Sequence, residues 1–106
     1  LIMRNNCIYI AGKVTGDNRY QEKFASMEQR LTELNPKFEV VNPAKKIPVD
    51  APWLLAMFCC IRMLRHCDWV VMLRDWNESR GARWEHNVAR RKGKIILYEN
   101  QNGELC

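Results

Sequence analysis

The chain lacks any apolar run approaching the roughly 20 residues that a membrane-spanning helix needs. Its first residues, Leu1-Ile2-Met3-Arg4-Asn5-Asn6, lack the apolar core of a secretory leader. No membrane partner is expected, and the cytoplasm is the expected location. A Cys-x-x-Cys pair is also missing. Five cysteines, Cys7, Cys59, Cys60, Cys67 and Cys106, leave one over in any disulfide scheme, so reduced, mostly buried thiols are expected. A metal site drawn from Cys59, Cys60, His66 and Cys67 would need adjacent thiols that point to different sides of a helix. No metal ligand is assigned and no cofactor is expected. Repeats, low-complexity stretches and linkers are absent too, and the 106 residues read as one domain, 1–106, large enough to bury a core.

What is present begins with charge. A formal net charge of +5 raises the question of nucleic acid. Its densest part, Arg90-Arg91-Lys92-Gly93-Lys94, falls at a helix end, where cations are favoured by the C-terminal dipole without any partner. Nucleic acid is therefore not the expected partner, while an anionic small molecule such as a phosphate suits the balance.

Taken in order, Cys7-Ile8-Tyr9-Ile10-Ala11 is a continuous apolar run ending at Gly12, the pattern of a strand covered on both faces. A loop over Lys13 to Asp17 leads into an amphipathic helix, capped by Asp17 or Asn18, in which Tyr20, Phe24, Met27, Leu31 and Leu34 recur at steps of four and three. Asn35-Pro36 stops it. Phe38 to Val41 is a second strand, and Asn42-Pro43-Ala44 turns into a loop running to Pro52. Asp50 is the expected cap of the next helix, with Pro52 in its first turn and Trp53, Met57, Ile61 and Leu64 on its buried face. Asp68 to Leu73 forms a third strand, Arg74 to Glu78 a loop, Ser79 to Lys92 a helix stopped by Gly93, and Lys94 to Tyr98 the last strand. The tail from Glu99 to Cys106 is expected to fray.

Strands alternating with helices predict an α/β fold: a single-domain, three-layer α/β/α sandwich with a parallel sheet of four to five strands, flavodoxin- or Rossmann-like. Ligands in such sheets bind at the carboxyl ends of the strands, where strand order reverses. The loop from Gly12, the Asn42-Pro43 loop and the Arg74 to Ser79 loop converge there. In the last helix Ala82, Glu85 and Ala89 share one face. Glu85 is thus either a carboxylate lining a cleft among small residues or a solvated acid near the favourable end of the helix dipole. The fold predicts Tyr9 within reach of it.

These residues carry a resemblance. Ile8-Tyr9-Ile10-Ala11-Gly12, Val41-Asn42-Pro43-Ala44, Cys67-Asp68-x-Val70-Val71 and Ser79-x-Gly81-Ala82-x-x-Glu85, with Gly93-Lys94 behind them, resemble the nucleoside 2-deoxyribosyltransferase-like superfamily over nearly the whole chain. The W-x-x-S-x-G-A-x-x-E pattern from Trp76 to Glu85 is similar to that of its small phage and bacterial, DUF4406-like branch. The resemblance implies that Glu85 attacks C1′ of a 2′-deoxyribonucleoside, or of its 5′-monophosphate, to give a covalent deoxyribosyl-enzyme that water or a second base resolves. Tyr9 would hydrogen-bond the carboxylate and hold its angle of attack. The superfamily's base-exchanging transferases carry Asp where Ser79 stands; its deoxynucleoside 5′-monophosphate N-glycosidases carry Ser and use it for phosphate. Ser79 can also serve simply as N-cap, and the two roles can coexist.

The remaining expected contacts are Gly12, Asn42, Gly81, Arg80 and Trp76, with Trp53 and Trp76 placed either on the cleft wall or in packing. One departure bears on turnover: the family's usual acid, eight positions before Asp68, is here Cys60, a thiol with an ordinary pKa of about 8.5. Either Asp68 or substrate-assisted protonation compensates, or the site binds without turning over; Asp68 can equally be a strand-edge residue that holds a loop through backbone N–H groups. His86 points about 100° away from Glu85 on a helix and is not enlisted. The expectation is an N-glycosidic-bond enzyme, hydrolase or transferase, with a nucleoside or nucleotide as partner. The alternatives are a silent nucleotide-binding module on the same fold and a basic protein that binds nucleic acid or another protein. The resemblance further implies a homodimer or larger homo-oligomer.

Overall fold

The computed structural model describes residues 4–106; Leu1, Ile2 and Met3, part of the start read above for a leader, lie outside them. Nine elements follow one another: β1 (Cys7–Ala11), α1 (Tyr20–Leu34), β2 (Glu39–Val41), α2 (Pro43–Lys46), α3 (Trp53–His66), β3 (Trp69–Met72), a 3₁₀ turn (Trp76–Glu78), α4 (Arg80–Arg91) and β4 (Ile95–Tyr98). The four strands form one parallel sheet in the order β2-β1-β3-β4. Each strand and helix predicted from the sequence is present within a residue or two at its ends.

The sheet is covered on both faces because its central strands are apolar at every position. Side chains alternate across a strand, so Ile8 and Ile10 pack with Val71 and Leu73 against Phe24, Met27 and Leu31 of α1. Tyr9 and Ala11 pack with Val70 and Met72 on the other face, against Leu64 of α3 and Ala82 and Ala89 of α4. This is the three-layer arrangement. The order of strands reverses at β1, whose two neighbours are β2 and β3, which puts a crevice beyond its carboxyl end. Gly12 sits there for a steric reason: a Cβ on it would stand 2.6 Å from Leu73 Cδ1, so only glycine lets the chain leave β1 so close to the end of β3.

Five expectations need correction. The N-cap of α1 is Arg19, with no side-chain cap, rather than Asp17 or Asn18. The loop after β2 contains a short helix, α2, because Asn42 caps it by accepting from the Ala44 N–H at 3.0 Å and Pro43 occupies its first turn. The N-cap of α3 is Pro52, with no side-chain cap, rather than Asp50. The tail does not fray: Glu99 bridges Leu105 in antiparallel fashion, and Tyr98 and Cys106 exchange both backbone hydrogen bonds, at 2.9 and 3.0 Å. Asn100 Oδ1 accepts from the N–H groups of Asn102 and Glu104 and holds the turn. Finally, Cys7 and Cys67 are joined as a disulfide with Cα atoms 4.6 Å apart, while Cys59, Cys60 and Cys106 are free. Parallel pairing of β1 with β3 sets the residues leading into the two strands side by side, an adjacency that cysteine spacing does not reveal. Among the described residues no helix is long and apolar enough to cross a membrane.

Candidate active site

The site is built from the start of α4. Ser79 is extended, with φ −118° and ψ 125°, and its Oγ accepts from the Ala82 N–H at 3.1 Å. That cap sets the helical phase, and the phase sets which residues face inward: Gly81, Ala82, Glu85 and Ala89 are buried. Three of the four are small, so α4 lies close against the sheet and α3; a Cβ on Gly81 would come within 2.9 Å of Met57 Sδ. Glu85, in the second turn, is carried into the interior and is 5% exposed.

Tyr9 meets it from the sheet. Its ring is wholly buried in the middle of β1, and its hydroxyl donates to Glu85 Oε2. Burial pushes the Glu85 carboxyl up from 4.5 to about 8, with the Tyr9 hydrogen bond acting in the opposite direction. Loss of solvent, and then the neighbouring Glu85, hold the Tyr9 phenol well above its usual value, so it remains a proton donor in this bond. Cys60 approaches from α3. Its thiol is pushed up to about 12, first by burial and then by Glu85, and it too stays neutral around pH 7.

These three side chains open onto a cleft of about 220 Å³ at the carboxyl end of β1. Gly12 and Thr15 of the β1–α1 loop, Ser79 and Gly81 at the start of α4, and Trp53 and Met57 of α3 also line it. Most of the remaining surface is aliphatic or aromatic. Among the described residues lining the cleft, Glu85 carries the one carboxyl, and no Lys, Arg or His is present. Arg80 lies close by, its guanidinium 4.3 Å from the centre of the Trp53 ring.

Of the residues singled out from the sequence, Tyr9, Gly12, Ser79, Gly81 and Glu85 line the cleft together. Asn42 does not. It is 3% exposed and both ends of its amide are engaged, Oδ1 with the Ala44 N–H and Nδ2 with Glu28 Oε1 at 3.0 Å. Trp76 stacks on His86 at 4.2 Å and approaches Tyr98 at 6.1 Å and does not line the cleft, while Trp53 does. His86 is turned toward Tyr98, its Nε2 lying 2.6 Å from the Tyr98 hydroxyl. Asp68 lies at the opposite edge of the sheet: Oδ2 accepts from the Asn5 N–H at 2.6 Å, and its own N–H donates to Asn5 Oδ1 at 3.1 Å. It ties together the segments entering β1 and β3. The apolar lining from Tyr20 and from Ile47 to Val49 escaped the sequence reading; the proline-punctuated stretch after Asn42 is the signal that could have pointed to it.

The family described as "Domain of unknown function (DUF4406)" matches residues 6–98. A solved structure described as "2-desoxiribosyltransferase from Leishmania mexicana" superposes with a TM-score of 0.69 at 20% sequence identity, covering 90% of this chain and 64% of that one. The chain thus spans a little under two thirds of that protein's length and shares its fold. No curated protein matches the sequence.

Proposed function

The chain belongs to the DUF4406 family and has a nucleoside 2-deoxyribosyltransferase-like fold; from that premise we propose that it is an N-glycosidic-bond enzyme acting on 2′-deoxyribonucleosides or their 5′-monophosphates. The observation that carries this reading is the buried pair of Tyr9 and Glu85 facing an apolar cleft at the carboxyl end of the sheet. A carboxyl held by a phenol in a water-poor pocket is suited to nucleophilic attack on an anomeric carbon, since a desolvated carboxylate is a stronger nucleophile than a hydrated one.

In this mechanism Glu85 in its ionised form attacks C1′ through one carboxylate oxygen while Tyr9 donates to the other and fixes its direction. The glycosidic C–N bond breaks, the base departs with the electron pair, and a deoxyribosyl ester on Glu85 remains. Water or a second base then attacks C1′ and restores the carboxylate. The apolar cleft wall, with Trp53 in it, supplies a flat surface for a nucleobase. Ser79 accepts from Ala82 as N-cap and still has its own proton to donate, so capping and contact with a 5′-phosphate are compatible. The first N–H groups of α4 and the nearby Arg80 favour the same anion.

The test is release of free base, followed chromatographically, from each 2′-deoxynucleoside and its 5′-monophosphate, with and without a second base. Release by the wild type that disappears in Glu85→Gln supports the enzyme; a preference for monophosphates supports Ser79 as a phosphate contact. A second reading, a silent nucleotide-binding module, is favoured by the Cys60 thiol standing beside Tyr9 and Glu85. It predicts calorimetric binding of a nucleotide with no release of base.

A further inference from the structure

Among the described residues lining it, the cleft contains a single carboxyl, that of Glu85. Displacement at an anomeric carbon through an enzyme ester ordinarily uses two, one to attack and one to protonate the departing group. Glu85 cannot do both in one step, because the nucleophile and the leaving base lie on opposite faces of the sugar. The other groups in the cleft that bear a proton on oxygen or sulfur are Tyr9, Thr15, Tyr20, Cys60 and Ser79. Tyr9 is committed to Glu85, and the Cys60 thiol is pushed up to about 12, too weak an acid to deliver a proton near neutral pH. Of the carboxyls on nearby loops, Asp17 and Asp75 both hold Lys23, Glu78 lies 3.8 Å from Lys13, and Asp50 is exposed and not part of the cleft lining. Asp68 is at the far edge of the sheet, on Asn5.

We propose, resting on the N-glycosidic reading above, that the site selects 2-deoxyribosyl donors whose base leaves without being protonated, that is, nucleotides carrying a ring-alkylated, cationic purine. The bond made is C1′–O of Glu85 and the bond broken is C1′–N. The electron pair stays on the ring nitrogen and neutralises the positive charge of the base, which departs as a neutral molecule with no proton transfer. Water then attacks C1′, its proton passes to solvent, and Glu85 is released as carboxylate. The positive charge also favours the ionised form of Glu85, the form that attacks.

The experiment compares 2′-deoxyguanosine 5′-monophosphate with its 7-methyl derivative on the purified protein, scoring base release above each compound's spontaneous rate. The expected result is a kcat/KM at least about 100-fold higher for the cationic substrate, the lower end of what a general acid contributes. Values within about threefold of each other would overturn the inference and leave the enzyme reading standing. Absence of release above background from either compound, or release unchanged in Glu85→Gln, would remove the enzyme reading and this inference with it. A folded Cys60→Asp variant should narrow the preference by raising the rate on the unmodified nucleotide at least tenfold. An unchanged preference in that folded variant would show that the missing carboxyl does not set it. Should Cys60→Asp fail to fold, the wild-type comparison decides alone.

Discussion

Replacing Glu85 by Gln should change how stability depends on pH, in a direction opposite to that of an ordinary salt-bridged acid. The folded chain holds the Glu85 proton up to about pH 8, whereas the unfolded chain releases it near 4.5. Between those values the native state binds more protons than the unfolded state, so unfolding free energy falls as pH rises. The contribution is complete below pH 4.5 and lost by the time pH passes 8. Two pKa values so placed correspond to about 3 to 4 kcal/mol lost between pH 5 and pH 8. Gln keeps the volume and an acceptor for the Tyr9 hydroxyl but cannot ionise. Tyr9 and Cys60, the groups facing Glu85 from β1 and α3, are both held neutral over this range by burial. His86, pulled down by burial and by Arg90, is present in both proteins and cancels. The measurement is urea unfolding at half-unit pH steps from 5 to 8.5. The wild-type curve should descend relative to that of Glu85→Gln, so that the variant gains about 3 to 4 kcal/mol on it across the interval. Parallel curves would mean that Glu85 ionises at its ordinary pH, and the argument from burial would fail.

Tyr9→Phe removes a hydrogen bond that lowers the Glu85 pKa; the ascending limb of the kcat/KM profile, expected to level off near pH 8 in the wild type, should move to higher pH, and unfolding should become easier by about 1–3 kcal/mol. Ser79→Ala loses the cap of α4, costing about 1 kcal/mol in chemical denaturation, and should raise KM for a monophosphate more than for the matching nucleoside. Gly12→Ala drives a Cβ into Leu73 and should lower stability by about 1–3 kcal/mol through overpacking. Asp68→Asn should leave kcat/KM within about twofold of wild type, because the side chain is at the edge of the sheet away from the cleft, while losing about 1 kcal/mol of stability through its weakened bond to the Asn5 N–H.

Much of the site was legible because it lies on periodic elements. The alternation of β1 puts Tyr9 on the face opposite Ile8 and Ile10, and the helical phase of α4 puts Glu85 on the stripe with Ala82 and Ala89; both patterns are local and survive any packing. Asp68 was not legible in the same way. It stands at the amino end of β3, just after the polar Arg65 and His66 that close α3, whereas the cleft lies at the carboxyl ends of the strands. Asn42 misled for a related reason: an amide beside a turn suits a ligand contact as well as a helix cap, and only the short helix α2 and the carboxylate of Glu28 decide between them. Trp53 and Trp76 were equivalent as aromatics. Packing against His86 and Tyr98 drew Trp76 away from the cleft and left Trp53 in it.

The sequence by itself determined the alternation of strands and helices, and with it the parallel sheet, because hydrophobic period is a property of neighbours along the chain. It also determined the inward stripe of α4, since the Ser79 cap and the small residues behind it leave one face for the acid. Tertiary structure alone decided what that acid meets. The phenol of Tyr9 is 76 residues away, the thiol of Cys60 comes from another helix, and the pairing of Cys7 with Cys67 follows from two strands lying side by side. Contacts of that kind depend on strand order and on which face each helix covers, and so does the displaced pKa of Glu85, which is set by the water that those contacts exclude.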